Sequence, residues 1–126
     1  AAAPLGFRLD LGDVSESARV YLNGDSVATV WAAPFTIDIP CDNGETQQAK
    51  AAIHPGLNTL RIEVTNLPAN RISDLDRRGV EWRKMEEINV VDINYKKTKY
   101  DHWSPMPSGL NSPVRIYKAK VNIINL

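Results

Sequence analysis

Acidic side chains are concentrated in one stretch, at Asp74, Asp76, Glu81, Glu86 and Glu87. Paired carboxylates are the usual means of glycoside hydrolysis, in which one acts as an acid and the other as a base or nucleophile. Basic residues are interleaved with them, however, which is typical of a solvated and ion-paired surface. The sequence therefore favours a charged surface here over a catalytic pair. The interleaved basic residues are Arg71, Arg77, Arg78, Arg83 and Lys84.

Aromatic residues in the same half of the chain suggest a second chemistry, the binding of sugars. Two of the three tryptophans, Trp82 and Trp103, lie there together with Tyr95 and Tyr100. An aromatic face can hold the apolar side of a sugar ring, while carboxylates and Arg bind its hydroxyl groups. The alternative is that each Trp is the private core of an irregular segment. The candidate sugar-binding residues are Trp82, Trp103, Arg71, Asp74, Asp76 and Tyr100.

Metal binding has a weaker basis in the sequence. Structural calcium could be held by oxygen ligands near loops, at Asp10, Asp13, Asp42 and Asn43, although no EF-hand spacing is present. We assign no metal site and no cofactor, and keep calcium as an alternative.

Covalent chemistry at the single cysteine also has a weak basis. A nucleophilic Cys41 would need a partner base, and the only histidines are His54 and His102. An inert thiol at a strand end is therefore the preferred interpretation, and we assign no catalytic residue.

Charge argues against nucleic-acid and membrane partners. Lys96, Lys97 and Lys99 lie near Tyr95 and Tyr100, a mixture that can bind phosphates and stack bases. Yet the chain has 15 Lys plus Arg against 15 Asp plus Glu, so no net field favours a polyanion. The longest apolar runs are far shorter than the ~20 residues that cross a bilayer. We therefore expect a soluble domain without nucleic-acid or membrane partners.

The elements that must position these residues are β-strands. In residues 18–39, apolar and polar residues alternate on both sides of Asn23-Gly24, the pair that most readily forms a two-residue hairpin turn. Pro34 cannot donate a ladder hydrogen bond, so it marks a corner before the next strand. Trp31, on the strand before this corner, is predicted to lie in the core.

Other alternating runs predict further strands. The first, at Phe7, Leu9 and Leu11, is predicted to lie at a sheet edge, and the clearest run should turn Leu60, Ile62 and Val64 towards the core. About eight short strands with frequent turn signals predict an all-β, antiparallel β-sandwich that occupies residues 1–126 as one domain. The remaining predicted strands are 87–95, 114–117 and 121–124, and residues 50–53 are expected to re-enter a sheet.

Residues 67–113 break the alternation and contain four prolines. A structureless loop of this length is uncommon in a compact domain, so we expect short elements or docking on a partner. Ser73 to Asp76 could cap a single helical turn.

Two long segments carry a family resemblance. Residues 9–39, LDLGDVSESARVYLNGDSVATVWAAPFTIDI, and residues 54–66, HPGLNTLRIEVTN, together resemble the sugar-binding-type β-sandwich of glycoside hydrolase family 2 and its relatives. These modules share the galactose-binding-like jelly roll. Residues 70–72, 105–110 and 113–114 look like the closing part of modules at the carboxyl end of large bacterial glycosidases. The α-L-rhamnosidase-like proteins of Bacteroidetes are similar examples, although Asn111-Ser112 replaces the expected Leu-Gly before Pro113.

The resemblance implies a non-catalytic accessory module, because the catalytic residues of such enzymes reside in another domain. It implies a periplasmic or extracellular location, and a module that binds carbohydrate or packs on the catalytic domain. The implied partners are that catalytic domain and plant or host glycans, and the isolated module should be a monomer. A purely structural interdomain module and a stand-alone glycosidase are the alternatives.

Overall fold

A computed structural model describes residues 5–41, 51–84, 93–94 and 96–120. The chain divides into two compact units. The first, here called the sandwich unit, comprises Ala1–Asn66 and Ser108–Leu126, and the second, the insert unit, comprises Leu67–Pro107. None of the described helices is long and apolar enough to cross a membrane. A single domain over 1–126 remains a prediction.

Eight strands are found in the described residues, all in the sandwich unit, and they pair in antiparallel sheets. One sheet has the order β5-β1-β8 and another the order β4-β3-β6, while β2 and β7 form a short two-stranded sheet. The all-β sandwich prediction is thus confirmed. The strands are β1 (Leu5–Asp10), β2 (Val14–Ser15), β3 (Ser17–Leu22), β4 (Asp25–Val30), β5 (Thr36–Pro40), β6 (Leu60–Thr65), β7 (Gly109–Leu110) and β8 (Arg115–Lys120).

The predicted edge position of the first strand is wrong. Strand β1 lies between β5 and β8, with Leu9 opposite both Ile37 and Ile116. Its second partner comes from the far end of the chain, so hydrophobic alternation within β1 could not reveal it. Alternation reports which face is buried but not how many neighbours a strand has.

The predicted hairpin of residues 18–39 is confirmed. Asn23 (φ 52°) and Gly24 (φ 92°) occupy the left-handed region between β3 and β4, as a two-residue turn requires. The Asn23 side chain also accepts a hydrogen bond from the Thr59 backbone N–H at 2.9 Å and donates to Asn58 Oδ1 at 3.0 Å. The turn is thereby tied to the chain that enters β6.

Both larger sheets contribute to one hydrophobic core. The fully buried large side chains are Leu9 and Ile39 from one sheet, Val20 from the other, and Leu11 after β1. Leu60, Ile62 and Val64 are partly buried and pack against this core, as predicted. Burial of such side chains is worth roughly 1.5–3 kcal/mol each, so this layer is the main source of stability of the sandwich unit.

The prediction that Trp31 lies in the core is wrong, because its side chain is 78% exposed. Strand β4 ends at Val30, and the following residues Trp31 to Pro34 are all exposed. The prediction assumed that the strand continues through Trp31, but β4 ends one residue earlier, so the alternation of buried and exposed side chains does not extend to Trp31. The Pro34 corner is present as predicted.

Asn111 and Ser112, which replace the expected Leu-Gly pair, form hydrogen bonds to another segment of the sandwich unit, residues 13–15. Ser112 Oγ accepts a hydrogen bond from the Asp13 N–H at 2.6 Å, and Asn111 Nδ2 donates to Ser15 Oγ at 2.9 Å. A Cβ on Gly12 would come within 1.9 Å of Ser112 Oγ, and Gly12 has a φ of +67°. Glycine at position 12 thus permits both the turn and the close approach of Ser112.

Among its described residues, the insert unit has one helix, α1 (Ala69–Arg77). It is longer than the predicted single turn, and it begins at Ala69 with Pro68 as the N-cap, without a side-chain capping hydrogen bond. Its end is marked by Gly79, whose φ is +67° and whose N–H donates to the Asp76 carbonyl at 3.1 Å. The predicted strand 121–124 lies outside the described residues, as does predicted strand 87–95 except for residues 93–94, which form a turn.

Candidate functional site

All six predicted sugar-binding residues lie in the insert unit. Helix α1 carries Arg71, Asp74 and Asp76. Trp82 follows the helix in a second segment, residues 80–84, that has no regular secondary structure. A third segment, residues 96–107, carries Tyr100 and Trp103.

The Asp76 carboxylate is the centre of the polar contacts. Its Oδ1 accepts a hydrogen bond from Trp82 Nε1 at 2.6 Å, and its Oδ2 accepts one from the Tyr100 backbone N–H at 2.7 Å. These two bonds, the Trp82 bond first, hold the pKa of Asp76 below its usual value, with smaller help from the charges of Arg83 and Lys99. Partial burial opposes the shift. Asp76 therefore favours the ionised form and uses both oxygens to join three segments.

Three aromatic rings pack in a row beside this carboxylate, and we call them the aromatic cluster: Trp82, Tyr100 and Trp103. The Tyr100 and Trp103 ring centroids are 4.6 Å apart, and those of Trp82 and Tyr100 are 6.5 Å apart, both in tilted arrangements. The Arg83 guanidinium lies 5.0 Å from the Trp82 ring centroid and 5.4 Å from that of Tyr100. Arg83 thus lies over two of the rings, at a position where a sugar ring would otherwise stack.

Arg71 and Asp74 are not part of this cluster. At about 100° per residue along a helix, they lie about 140–160° around α1 from Asp76. Both are exposed, and Asp74 forms an ion pair with Arg78, one turn later, at 2.8 Å. The structure therefore brings together four of the six predicted residues, Asp76, Trp82, Tyr100 and Trp103, and leaves two on another face of the helix.

Three polar residues of α1 that were not among the predicted site residues hold the backbone of the third segment. Asn70 and Met106 form a reciprocal pair: Asn70 Nδ2 donates to the Met106 carbonyl at 2.9 Å, and the Met106 N–H donates to Asn70 Oδ1 at 2.8 Å. Buried Ser73 donates to the Trp103 carbonyl at 3.3 Å. Arg77 donates to the Asp101 carbonyl at 2.9 Å and also to that of Trp103. The i, i+3, i+7 spacing of these residues is the signal that places them on one helix face.

Two shallow depressions adjoin Asp76, with volumes of about 160 and 230 Å³. Both are lined by Asp76, Val80, Glu81 and Lys99. Acidic and basic side chains meet in both. The smaller depression is also lined by Arg83 and Lys97, so basic side chains are in slight excess there, whereas the larger is also lined by Asp101, so acidic side chains are in excess.

A third depression is apolar, with a volume of about 430 Å³, and we call it the apolar groove. Its lining is Leu67, Ala69, Trp103, Ser104 and Met106. The large side chains Leu67, Met106 and Trp103 remain 49%, 46% and 38% exposed. Trp103 therefore belongs both to the aromatic cluster and to the groove.

The other predicted chemistries have no further support in the described part of the chain. Within it, no group of three His, Cys, Asp or Glu side chains could hold a metal ion. Asp10 Oδ1 accepts a hydrogen bond from the Gly12 N–H at 2.8 Å, and the calcium candidates Asp42 and Asn43 lie outside the described residues, as do Glu86, Glu87 and Tyr95. Cys41, the residue after β5, has a free, half-buried thiol, and its backbone forms an isolated parallel β-bridge with Ile53. Calcium binding stays untested.

No protein-family profile matches the chain. A protein of Formosa agariphila named "Putative beta-glucuronidase" is 32% identical over 124 residues, which are 86% of this chain but 10% of that protein. The solved structure of a rhamnosidase from Novosphingobium sp. PP1Y superimposes with a TM-score of 0.62 and 30% identity, over 91% of this chain and 9% of that one. The chain thus spans about a tenth of the length of these relatives. The resemblance to bacterial glycosidases is confirmed: nearly the whole chain is similar to a small segment of much longer glycosidases.

Proposed function

We propose that this chain is a non-catalytic accessory module of a glycoside hydrolase and that it packs against the rest of that enzyme. The observation that carries the proposal is the coverage of the two relatives, in which nearly all of this chain corresponds to about a tenth of a glycosidase. A module of this size leaves the catalytic machinery to the rest of the polypeptide.

The chemistry of the carboxylates supports a non-catalytic role. Glycoside hydrolysis uses two facing carboxyl groups, one of them a general acid with a raised pKa. In the insert unit, the pKa of Asp76 is lowered instead, and both of its oxygens are used by Trp82 and Tyr100. Asp74, the neighbouring candidate, pairs with Arg78 at 2.8 Å. Neither carboxylate is arranged as an acid for a glycosidic oxygen.

Packing is favoured over sugar binding at the predicted site because its groups are engaged within the insert unit. The indole N–H of Trp82 is donated to Asp76, and Arg83 lies over the ring. The apolar groove, by contrast, exposes large apolar side chains. Such exposure in a soluble protein commonly marks a contact surface.

Carbohydrate binding is a second candidate, favoured by the exposure of Trp31 in the sandwich unit. Its side chain is 78% exposed, so a flat aromatic face is available to a sugar ring. The matching ligands would be rhamnose- or glucuronate-containing oligosaccharides, as the names of the two relatives suggest. In this role the module would hold the enzyme near its plant or host polysaccharide, in the periplasm or outside the cell.

Activity measurements test the accessory role. The isolated chain should not hydrolyse a panel of aryl glycosides, whereas the full polypeptide encoded by the same gene should be active. Turnover by the isolated chain that disappears in Asp74→Asn or Asp76→Asn would contradict the proposal.

Titration with oligosaccharides tests the second candidate. Binding through Trp31 should change tryptophan fluorescence and should be lost in Trp31→Ala. Leu57→Ala is the matched control, because Leu57 is also a large and exposed side chain, 96% accessible. If millimolar ligand leaves the fluorescence of the wild-type chain unchanged, sugar binding by this surface is contradicted.

A further inference from the structure

We propose that the apolar groove is the surface by which this module docks onto a neighbouring domain of its own glycosidase. The proposal rests on the accessory function above and adds the place and the chemistry of the contact. Its occupant is an apolar side chain or short apolar segment of that domain, inserted between Leu67, Trp103 and Met106.

The lining of the groove has the composition of an interface. Trp and Met are enriched in protein interfaces, and Trp is the residue type most often responsible for a large share of binding energy. Trp103 and Met106 both line this space of about 430 Å³, and both are more than one-third exposed. Water gains few hydrogen bonds in an apolar space, so filling it with an apolar group is favourable.

The groove is also preformed. Both backbone polar groups of Met106 are paired with Asn70, and the Trp103 carbonyl accepts from Ser73 and Arg77. The peptide backbone is thereby held by helix α1 while the Trp103 and Met106 side chains remain accessible. Binding to a surface that is already ordered loses less conformational entropy, which raises affinity.

A protein domain fits this groove better than a sugar does. Sugar sites combine an aromatic face with several polar groups that bind hydroxyls. Among the described lining residues, the polar side-chain groups are the Ser104 hydroxyl and the Trp103 indole N–H. A domain of the same polypeptide also has an advantage over a free partner. Covalent linkage gives it a millimolar effective concentration, so a small apolar patch is sufficient. The length of the two glycosidase relatives provides such a domain.

Binding in trans tests the proposal. The 126-residue chain is titrated calorimetrically with the remainder of the polypeptide encoded by the same gene, produced separately. We expect Trp103→Ser to raise the dissociation constant by roughly 30-fold or more, as for a central interface residue. Met106→Ser should raise the dissociation constant by about tenfold.

The variants differ in their risk to folding. Trp103 stacks on Tyr100 at 4.6 Å, so its replacement could disturb the aromatic cluster. Met106 contributes only backbone atoms to the Asn70 pair, so Met106→Ser keeps both hydrogen bonds. Leu57→Ser is the matched control, since Leu57 is exposed and belongs to the sandwich unit, and it should leave binding unchanged. Circular dichroism of each variant verifies folding.

Four results would overturn the proposal. The first is that the wild-type chain does not bind the remainder even at about millimolar concentration, the effective concentration that covalent linkage would provide. The second is that Met106→Ser and Trp103→Ser bind as tightly as wild type. The third is concentration-dependent dimerisation that the groove variants abolish, which would make a second copy the occupant. The fourth is binding of a rhamnose- or glucuronate-containing oligosaccharide that Trp103→Ser abolishes. Glycosidase activity of the isolated chain would instead contradict the accessory function and would leave the groove measurement intact.

Discussion

The sandwich unit and the insert unit are held together internally by different kinds of contact. In the described part of the chain, every buried hydrophobic side chain belongs to the sandwich unit. Among residues 67–84, 93–94 and 96–107 of the insert unit, the buried residue is Ser73, and its hydroxyl donates to a backbone carbonyl. The insert unit relies on hydrogen bonds, tilted aromatic pairs and Arg83.

The two kinds of contact have different consequences for the stability of a unit and for the definition of its backbone conformation. Burial of apolar surface supplies most of the free energy of folding, whereas one hydrogen bond contributes only about 1 kcal/mol net. Hydrogen bonds are directional, however, and so they fix the path of the backbone. The sandwich unit is thus the stable frame, and the insert unit is a geometrically defined but weakly stabilised surface.

The largest effect is expected from a change in the hydrophobic core. Leu9 is fully buried between the sheets, so Leu9→Ala should lower the free energy of unfolding by about 3–5 kcal/mol through lost burial and a cavity. Leu57→Ala, at a side chain that is 96% exposed, should change it by less than about 0.5 kcal/mol. Urea unfolding followed by circular dichroism measures both. Similar effects of the two substitutions would refute the core assignment.

The next effect concerns Asp76 and depends on pH. Because the pKa of Asp76 is lower in the folded chain than the ordinary 3.8, its ionised form stabilises the fold fully above pH 3.8. That contribution should be lost as the pH falls from 3.8 towards the lowered pKa. In Asp76→Asn it should be absent at every pH, since an amide cannot accept both hydrogen bonds as a carboxylate does.

Amide exchange detects this change locally. At neutral pH, Asp76→Asn should lower the protection of the Tyr100 amide by roughly tenfold, because its acceptor is lost. Asp38→Asn is the matched control. Its pKa is also lowered, by the hydrogen bond and charge of Arg8, but this pair lies in the sandwich unit. Unchanged Tyr100 protection in Asp76→Asn would show that the carboxylate does not hold the segment.

The frame was predictable from sequence to a large extent, because a half-buried strand has a period of two. The alternation around Asn23-Gly24 and at Leu60, Ile62 and Val64 directly reports which side chains face the core. Pairing was less predictable. Leu5 lies opposite Lys120, and no local pattern encodes a contact between residues so far apart. Trp31 shows a further limit, since its burial depends on where β4 ends.

The candidate site was predictable only in part. Aromatic residues in an irregular segment correctly drew attention to Trp82, Tyr100 and Trp103, which form one cluster. The length of helix α1 was predicted too short, because its start at Ala69 has no side-chain capping hydrogen bond that a sequence motif would indicate. Asp76 and Tyr100 are 24 residues apart, and the bond between a side chain and a backbone N–H leaves no signature of residue type.

A smaller effect is expected from the Asn70 pair. Asn70→Ala removes two neutral hydrogen bonds, which should cost about 1–2 kcal/mol of local stability. The protection of the Met106 amide reports the loss directly. Asn23→Ala is an informative comparison, because Asn23 also uses its side-chain amide as donor and acceptor but belongs to the sandwich unit. It should leave the Met106 amide unchanged, and a fall in both variants would mean that the pair is not local.

The smallest effect concerns the two arginines that lie over aromatic rings, one in each unit. Arg83 lies 5.0 Å from the Trp82 centroid and 5.4 Å from that of Tyr100, whereas Arg61 lies 4.1 Å from the Tyr21 centroid. An exposed cation–π contact is worth about 0.5–1 kcal/mol. Arg83→Met should therefore shift the Trp82 and Tyr100 ring resonances and cost about 1 kcal/mol or more, because two rings lose their cation and the Thr98 carbonyl loses the hydrogen bond from Arg83. Arg61→Met should shift only Tyr21 and cost about 0.5 kcal/mol, since the sheet beneath Tyr21 is held by its core. If Arg61→Met were the more damaging, polar and aromatic contacts would matter as much in the sandwich unit as in the insert unit, and the contrast between the two would fail.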